Sequence, residues 1–172
     1  MQEFFETFNE ENKPTGLVAR SVVHKRGLWH RAANIFLFRT NGQLIVQRRD
    51  ESKDVWPGAW DLSVAEHLQP GESFEAGAIR GLVEELGIAG VILERVSGEI
   101  RSMLEVPESG IKDYEIQVCF RGISDAELIP QASEVAEIRF FSLDDLRESM
   151  LGDPNRFTPW FRDRAGDIGL FD

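Results

Sequence analysis

Cysteine, tyrosine and histidine are scarce in this chain of 172 residues: one Cys, one Tyr and three His. The lone cysteine, Cys119, excludes an internal disulfide and suits a reducing compartment. Positive charge is scarce too. Nineteen Lys and Arg face thirty Asp and Glu, for a formal net charge of −11. That balance argues against a nucleic-acid polymer or an anionic membrane as the main partner. It still admits a small anionic substrate, because a local basic patch or a bound metal overrides the global sign. No apolar run approaches membrane-spanning length. The opening MQEFFETFNE has neither the basic nor the apolar segment of a signal peptide, so a soluble cytoplasmic protein is expected. Repeats, low-complexity tracts and linkers are missing as well. What is present is 42% hydrophobic, in a length that suits one folded domain over residues 1–172.

The apolar patterning alternates between strand and helix periods. Residues 4–8 (FFETF) and 17–23 (LVARSVV) read as strands around the turn residues of 9–16, which predicts an N-terminal hairpin. Residues 32–38 and 44–47 flank Asn41-Gly42, a strong hairpin signal. Residues 56–60 (WPGAW) read as a rigid aromatic turn, and 61–64 as a short strand. Residues 91–101, 114–121 and 138–141 read as further strands. In 114–121, Glu115, Gln117 and Cys119 share one face and Ile116, Val118 and Phe120 the other. Helices are expected at 73–86 and 143–150, with a last one opening within 157–164. Strands and helices mix without regular βαβ alternation, which predicts an α+β fold with a mixed sheet and flanking helices.

The helix at 73–86 (SFEAGAIRGLVEEL) carries the chemistry. Phe74, Ala78, Leu82 and Leu86 recur at spacing four, and Ser73 suits an N-cap. Gly77 and Gly81 each cost about 1 kcal/mol against alanine in a helix interior. Glu84 and Glu85 sit near its C-terminus, where the helix dipole disfavours negative charge. An exposed acidic face with an Arg80–Glu84 ion pair is the simplest account of them. Glu72 and Arg80, upstream of the pair, add to the pattern. Hard carboxylate ligands at such spacing suit Mg²⁺ or Mn²⁺ bridging a diphosphate.

The stretch 66–88, ending PGESFEAGAIRGLVEELGI, resembles the Nudix box. Glu72, Arg80, Leu82, Glu84, Glu85, Gly87 and Ile88 match its spacing. Two positions depart: Glu66 stands for the opening glycine, and Gly81 for the glutamate after the arginine. The resemblance implies a Nudix-like α/β/α sandwich, with a loop–helix–loop over 66–88 whose glutamates Glu72, Glu84 and Glu85 bind divalent metal. It also implies hydrolysis of a small-molecule diphosphate by water. With a glycine at 81, the activating carboxylate must come from elsewhere. Glu66, Glu85, Glu134 and Glu137 are the candidates.

A narrower resemblance covers nearly the whole chain. VHKRGLWHRA, QRRDESKDVWPGAWDLSVAEH, IKDYEIQV and FTPWF look like the branch that contains isopentenyl diphosphate isomerase. It implies a second metal set of His24, His30, His67, Asp113 and Glu115, which takes in all three histidines. His with carboxylate suits Mn²⁺, Zn²⁺ or Mg²⁺ alike. Arg49 and Lys53 match positions that hold the diphosphate, and Trp160 the aromatic wall of the pocket. The SVAEH stretch has Ala65 where the isomerase has its catalytic cysteine. Ala65 can neither donate nor remove a proton, so ordinary isomerase activity is not expected. The expected function is therefore a metal-dependent Nudix-type pyrophosphohydrolase using Mg²⁺ or Mn²⁺, with a nucleoside diphosphate derivative or a prenyl diphosphate as substrate. The alternatives are an isomerase-like enzyme working through Glu115 without the cysteine, and a diphosphate-binding module that has lost catalysis. A homodimer is compatible with the sequence.

Overall fold

The computed structural model describes residues 2–172. Its strands are β1 (Phe4–Phe8), β2 (Pro14–Ala19), β3 (His30–Phe38), β4 (Leu44–Arg49), β5 (Trp60–Asp61), β6 (Val64–His67), β7 (Leu93–Arg95), β8 (Ile100–Val106), β9 (Ile111–Ile123) and β10 (Val135–Phe141). Its α-helices are α1 (Arg20–Arg26), α2 (Phe74–Leu86), α3 (Leu143–Gly152) and α4 (Pro159–Asp167). β1 and β2 form a separate hairpin. The main sheet runs β10-β4-β3-β9-β7, with β5 on β4, β6 on β3 and β8 on β9. β3 and β9 are parallel and the other pairs antiparallel. The class is α+β with a mixed sheet, as the sequence predicts.

Strand alternation divides the core into two. Ala33, Ile35 and Leu37 of β3 and Ile116, Val118 and Phe120 of β9 meet Phe74, Ala78, Leu82 and Leu86 of α2. Phe36 and Phe38 of β3, with Cys119 of β9, face Leu146 and Met150 of α3 and Phe161 and Ala165 of α4. The sheet is thus the middle of three layers. Three helices start on side-chain caps: Ser73 accepts from the Ala76 amide, Ser142 from Asp145 and Thr158 from Phe161. Among the described residues, no helix is long and apolar enough to cross a membrane.

Three expectations are corrected. Residues 17–23 are not one strand: β2 ends at Ala19 and α1 begins at Arg20. The valines suggested a strand, but α1 turns Val23 and His24 inward and stops at the left-handed Gly27, whose amide bonds the Val23 carbonyl. Packing here outweighs propensity. Residues 91–101 are also broken, into β7 and the start of β8. Between them the Val96 amide bonds the Cys119 carbonyl, and the Ser97 hydroxyl accepts from the Cys119 amide. A side chain thus takes over part of the ladder. The strand expected at 61–64 is divided between the ends of β5 and β6.

Candidate active site

The functional side chains gather on both faces of β6. Antiparallel pairing sets Ala65 opposite Asn34, Glu66 opposite Ala33 and His67 opposite Ala32. The parallel β3–β9 register sets His30 beside Glu115 and Ala32 beside Gln117. His30, Ala32, Asn34, Ala65, His67, Glu115 and Gln117 therefore share one face of the sheet. Glu66 points through the other, toward α2.

On the first face, His24, His30, His67 and Asp113 bring one ligand atom each to within 4.8 Å of one another. His24 comes from α1, His30 from β3, His67 from β6 and Asp113 from β9. Asp113 Oδ1 lies 3.5 Å from His24 Nε2 and 3.3 Å from His30 Nε2. All three atoms are buried and make no hydrogen bond. The other ring nitrogen of His30, Nδ1, meets the Leu28 carbonyl at 3.0 Å, which fixes the ring and leaves Nε2 free for a ligand. Burial lowers His24 to about 4, against the pull of Asp113. His30 is raised: burial opposes this, but contact with Asp113 and the charge of Glu115 prevail. Asp113, despite its burial, is held at about 2 by the histidines. A neutral imidazole, a free carboxylate and orphaned buried donors fit a divalent metal ion.

Glu115 stands at the rim of this cluster rather than in it, 3.0 Å from His67 Nε2. Gln117 donates from Nε2 to Glu115 Oε2, and Arg164 of α4 donates to Gln117 Oε1. Arginine has no acceptor, so it fixes the orientation of the amide, which in turn presents its N–H to Glu115. Phe5 of the N-terminal hairpin roofs the cluster. Its ring centroid lies 4.9 Å from that of His30 and 4.7 Å from that of His67. Neither the Gln117–Arg164 strut nor Phe5 was found by sequence reasoning. The one signal was a polar residue, Gln117, within the buried run IQVCF of β9.

On the second face, Arg80 gathers the glutamates. It bonds Glu72 through both Nε and Nη2, at 2.9 and 2.8 Å. Its Nη1 lies 3.1 Å from Glu66 Oε1 and 3.1 Å from Glu84 Oε2, and its Nη2 also bonds the His67 carbonyl. Glu72 is held below the usual range: its bonds to Arg80 outweigh its partial burial. Burial pushes Glu66 up against the attraction of Arg80. Glu85 is 8% exposed, accepts 2.9 Å from Gln47 Nε2, and is pushed by burial to about 8. Glu72, Glu84 and Glu85 do not converge on one point: among the described residues, the His/Asp cluster alone meets the 4.8 Å spacing.

Gly81 has a spatial explanation. A β-carbon there would lie 2.9 Å from Glu66 Cβ and 2.9 Å from Val64 Cγ1. The two departures from the box, Glu66 and Gly81, are in contact. The glutamate of β6 occupies the space that a side chain at 81 would need.

The faces meet in a cavity of about 340 Å³ whose lining includes Arg49, Lys53, Glu66, His67, Arg80, Glu84, Glu85 and Glu134. Lys53 pairs with Glu134. Arg49 is steered by the buried Asp61, 3.1 Å away. Asp61 also accepts from Trp160 Nε1 at 2.8 Å and from Thr158 at 3.0 Å. Burial raises its pKa. Sequence reasoning missed Asp61 too, although an acid between Trp60 and Leu62 was a signal. Glu137 does not join the others. It pairs with Arg48 and Arg139 in a separate groove beside Trp56 and Trp60.

The NUDIX domain family model matches residues 28–161, and the chain belongs to that family. It is 38% identical over 163 residues to an uncharacterized Nudix hydrolase of Pseudomonas aeruginosa, a match covering 95% of this chain and 89% of the relative. It is 30% identical over 156 residues to an isopentenyl-diphosphate Delta-isomerase of Pectobacterium atrosepticum, covering 90% and 84% respectively. The fold is similar to the crystal structure of a MutT protein from Methanosarcina mazei: TM-score 0.66, 23% identity, 83% of this chain and 94% of that one.

Proposed function

We propose that the chain is a metal-dependent hydrolase of a small-molecule diphosphate, using Mg²⁺ or Mn²⁺. The observation that carries this reading is the shared cavity, where Arg49, Lys53 and Arg80 stand among Glu66, Glu84, Glu85 and His67. Arg49 and Lys53 bind the diphosphate oxygens, Arg49 as a planar fork and Lys53 as a point charge. His24, His30, His67 and Asp113 would hold one metal ion, with Glu115 reaching it from the rim, and Glu72, Glu84 and Glu85 would serve the diphosphate side. A bound divalent ion supplies charge neutralisation and acidifies water there. Glu66 takes the proton from the attacking water, with Glu85 and Glu134 as the other bases within reach of the cavity. Water adds to one phosphorus, and the bridging P–O bond breaks toward the other phosphate. Trp160 walls the organic end of the substrate. The reaction is a cytoplasmic one on a free small molecule.

An isomerase-like reaction through Glu115 is the second reading. The His/carboxylate cluster favours it, and Ala65 opposes it for want of a proton donor.

The test is product release from nucleoside and prenyl diphosphates with Mg²⁺ or Mn²⁺, for wild type and Glu85→Gln. Phosphate release that needs metal and falls about 10²- to 10⁴-fold in the variant supports the hydrolase. Double-bond migration without phosphate release favours the isomerase. Binding without turnover favours the module that has lost catalysis.

A further inference from the structure

The main sheet ends at β10, which pairs with β4 on one side and, among the described residues, with no strand on the other. Alternation along the ladder decides which of its backbone groups face outward. The Arg49 amide bonds the Ala59 carbonyl, on the β5 side of β4. Arg48, Val46 and Leu44 therefore turn their N–H and C=O groups toward β10. Their partners there are Glu137, Arg139 and Phe141, so Ile138 and Phe140 direct theirs away from the sheet. Among the described residues, no turn or loop backbone bonds these groups. Edge strands are commonly guarded by bulges and charges. β10 has a bulge between Val135 and Glu137, which disturbs one end only. Beyond it, Glu137 and Arg139 flank Ile138 with opposite charges. They share a face and bond each other at 2.7 Å, with 36% and 50% of their side chains exposed. Phe140 stands 43% exposed beside them.

We propose that β10 is the contact strand of a symmetric dimer, pairing antiparallel with β10 of a second copy of this chain about a two-fold axis at Ile138. That axis sets each Ile138 opposite its counterpart, so that both exchange the backbone bonds that the sheet leaves open. It also sets Glu137 opposite Arg139 of the second copy, and Arg139 opposite its Glu137. Opposite charges directly across a strand pair stabilise it, and like charges there destabilise it. Charge selects the register: an axis at Arg139 sets arginine against arginine, and an axis at Glu137 sets glutamate against glutamate. Phe140 comes to lie against the small Ala136, and its apolar area leaves water. Charge also selects the partner. A strand without the Glu-x-Arg spacing leaves one of the two charges unanswered, whereas a second copy answers both. The formal charge of −11 opposes any association that lacks such local complementarity. The contact is short, so the dimer is weak and concentration-dependent.

The test is analytical ultracentrifugation of the full chain at rising concentration, with the charge reversals Glu137→Arg and Arg139→Glu. Wild type is expected to move from the 19.5 kDa of one chain toward twice that mass. Either reversal alone sets like charges against each other at both pairs and is expected to hold the protein at the mass of one chain. Mixing the two variants in equal amounts restores both ion pairs, one chain supplying the arginines and the other the glutamates, and the dimer is expected to return. The double reversal within one chain is expected to dimerise as wild type does. These two restorations separate a lost contact from a fold damaged by the single changes. A wild type that stays at the mass of one chain up to its solubility limit overturns the proposal. So does a dimer that survives both single reversals, or one that neither the mixture nor the double reversal restores.

Discussion

Glu66 and His67 are neighbours in β6, yet they belong to two differently prepared regions. On the His67 side, four ligand atoms stand within 4.8 Å, and those of His24, His30 and Asp113 are buried without a hydrogen bond. On the Glu66 side every glutamate already has a partner: Arg80 for Glu66, Glu72 and Glu84, and Gln47 for Glu85. A cation arriving at the first region meets ligand atoms of His24, His30 and Asp113 that are otherwise without a hydrogen bond. A cation arriving at the second must compete with a guanidinium. The difference supports the proposal of one ion held by the protein and another that comes with the substrate, whose phosphates would supply the ligands that the crowded glutamates withhold.

The largest expected effect is on Glu85. Its carboxyl titrates near 8 in the folded protein against 4.5 in the unfolded chain. Between those values the folded state keeps a proton that the unfolded state has lost. The metal-free protein is therefore destabilised as pH rises through that window, and Glu85→Gln removes this contribution. Urea unfolding of both proteins between pH 4.5 and 8 should show the variant gaining stability over wild type as pH rises. A constant difference would place Glu85 with the already neutralised glutamates and remove its distinction from them.

Next in size is the strut behind the proposed metal site. Gln117→Leu should lower Mn²⁺ or Zn²⁺ affinity about 10- to 100-fold, measured by calorimetry on the unfractionated metal-free protein. Unchanged affinity would mean that Glu115 is not a ligand.

The smallest effect separates two glycines of α2. Alanine at 81 meets Glu66 Cβ and Val64 Cγ1, both near the backbone, whereas alanine at 77 meets the flexible end of Leu68 at 3.0 Å. Gly81→Ala should destabilise by about 1–2 kcal/mol despite the better helix propensity of alanine. Gly77→Ala should be close to neutral. Equal midpoints in urea would refute the account of Gly81 as the room that Glu66 needs.

Legibility in the sequence followed the range of the interaction. The Asn41-Gly42 hairpin, the α2 helix and the alternation of β9 depend on residues close in sequence, and turn chemistry and periodicity located them. The histidines were singled out through their resemblance to isomerase motifs, and their convergence with Asp113 needed four separate elements. The contact of Glu66 with Gly81 joins a strand to a helix, and so does the bond from Arg164 of α4 to Gln117. No local pattern encodes either. The α1 helix failed for a different reason: seven residues are too few for a 3.6-residue period to stand out from a strand rich in valine.

The strut has one more consequence, in the order of events. Every residue of the proposed metal site precedes Gln117 in the chain, whereas Arg164, which fixes the Gln117 amide, belongs to the last helix. During synthesis the ligands emerge well before the group that orients Glu115. Docking of α4, through Phe161 and Arg164 together, is then the step that finishes the site, and loading with metal should slow hydrogen exchange in that helix as much as around the histidines.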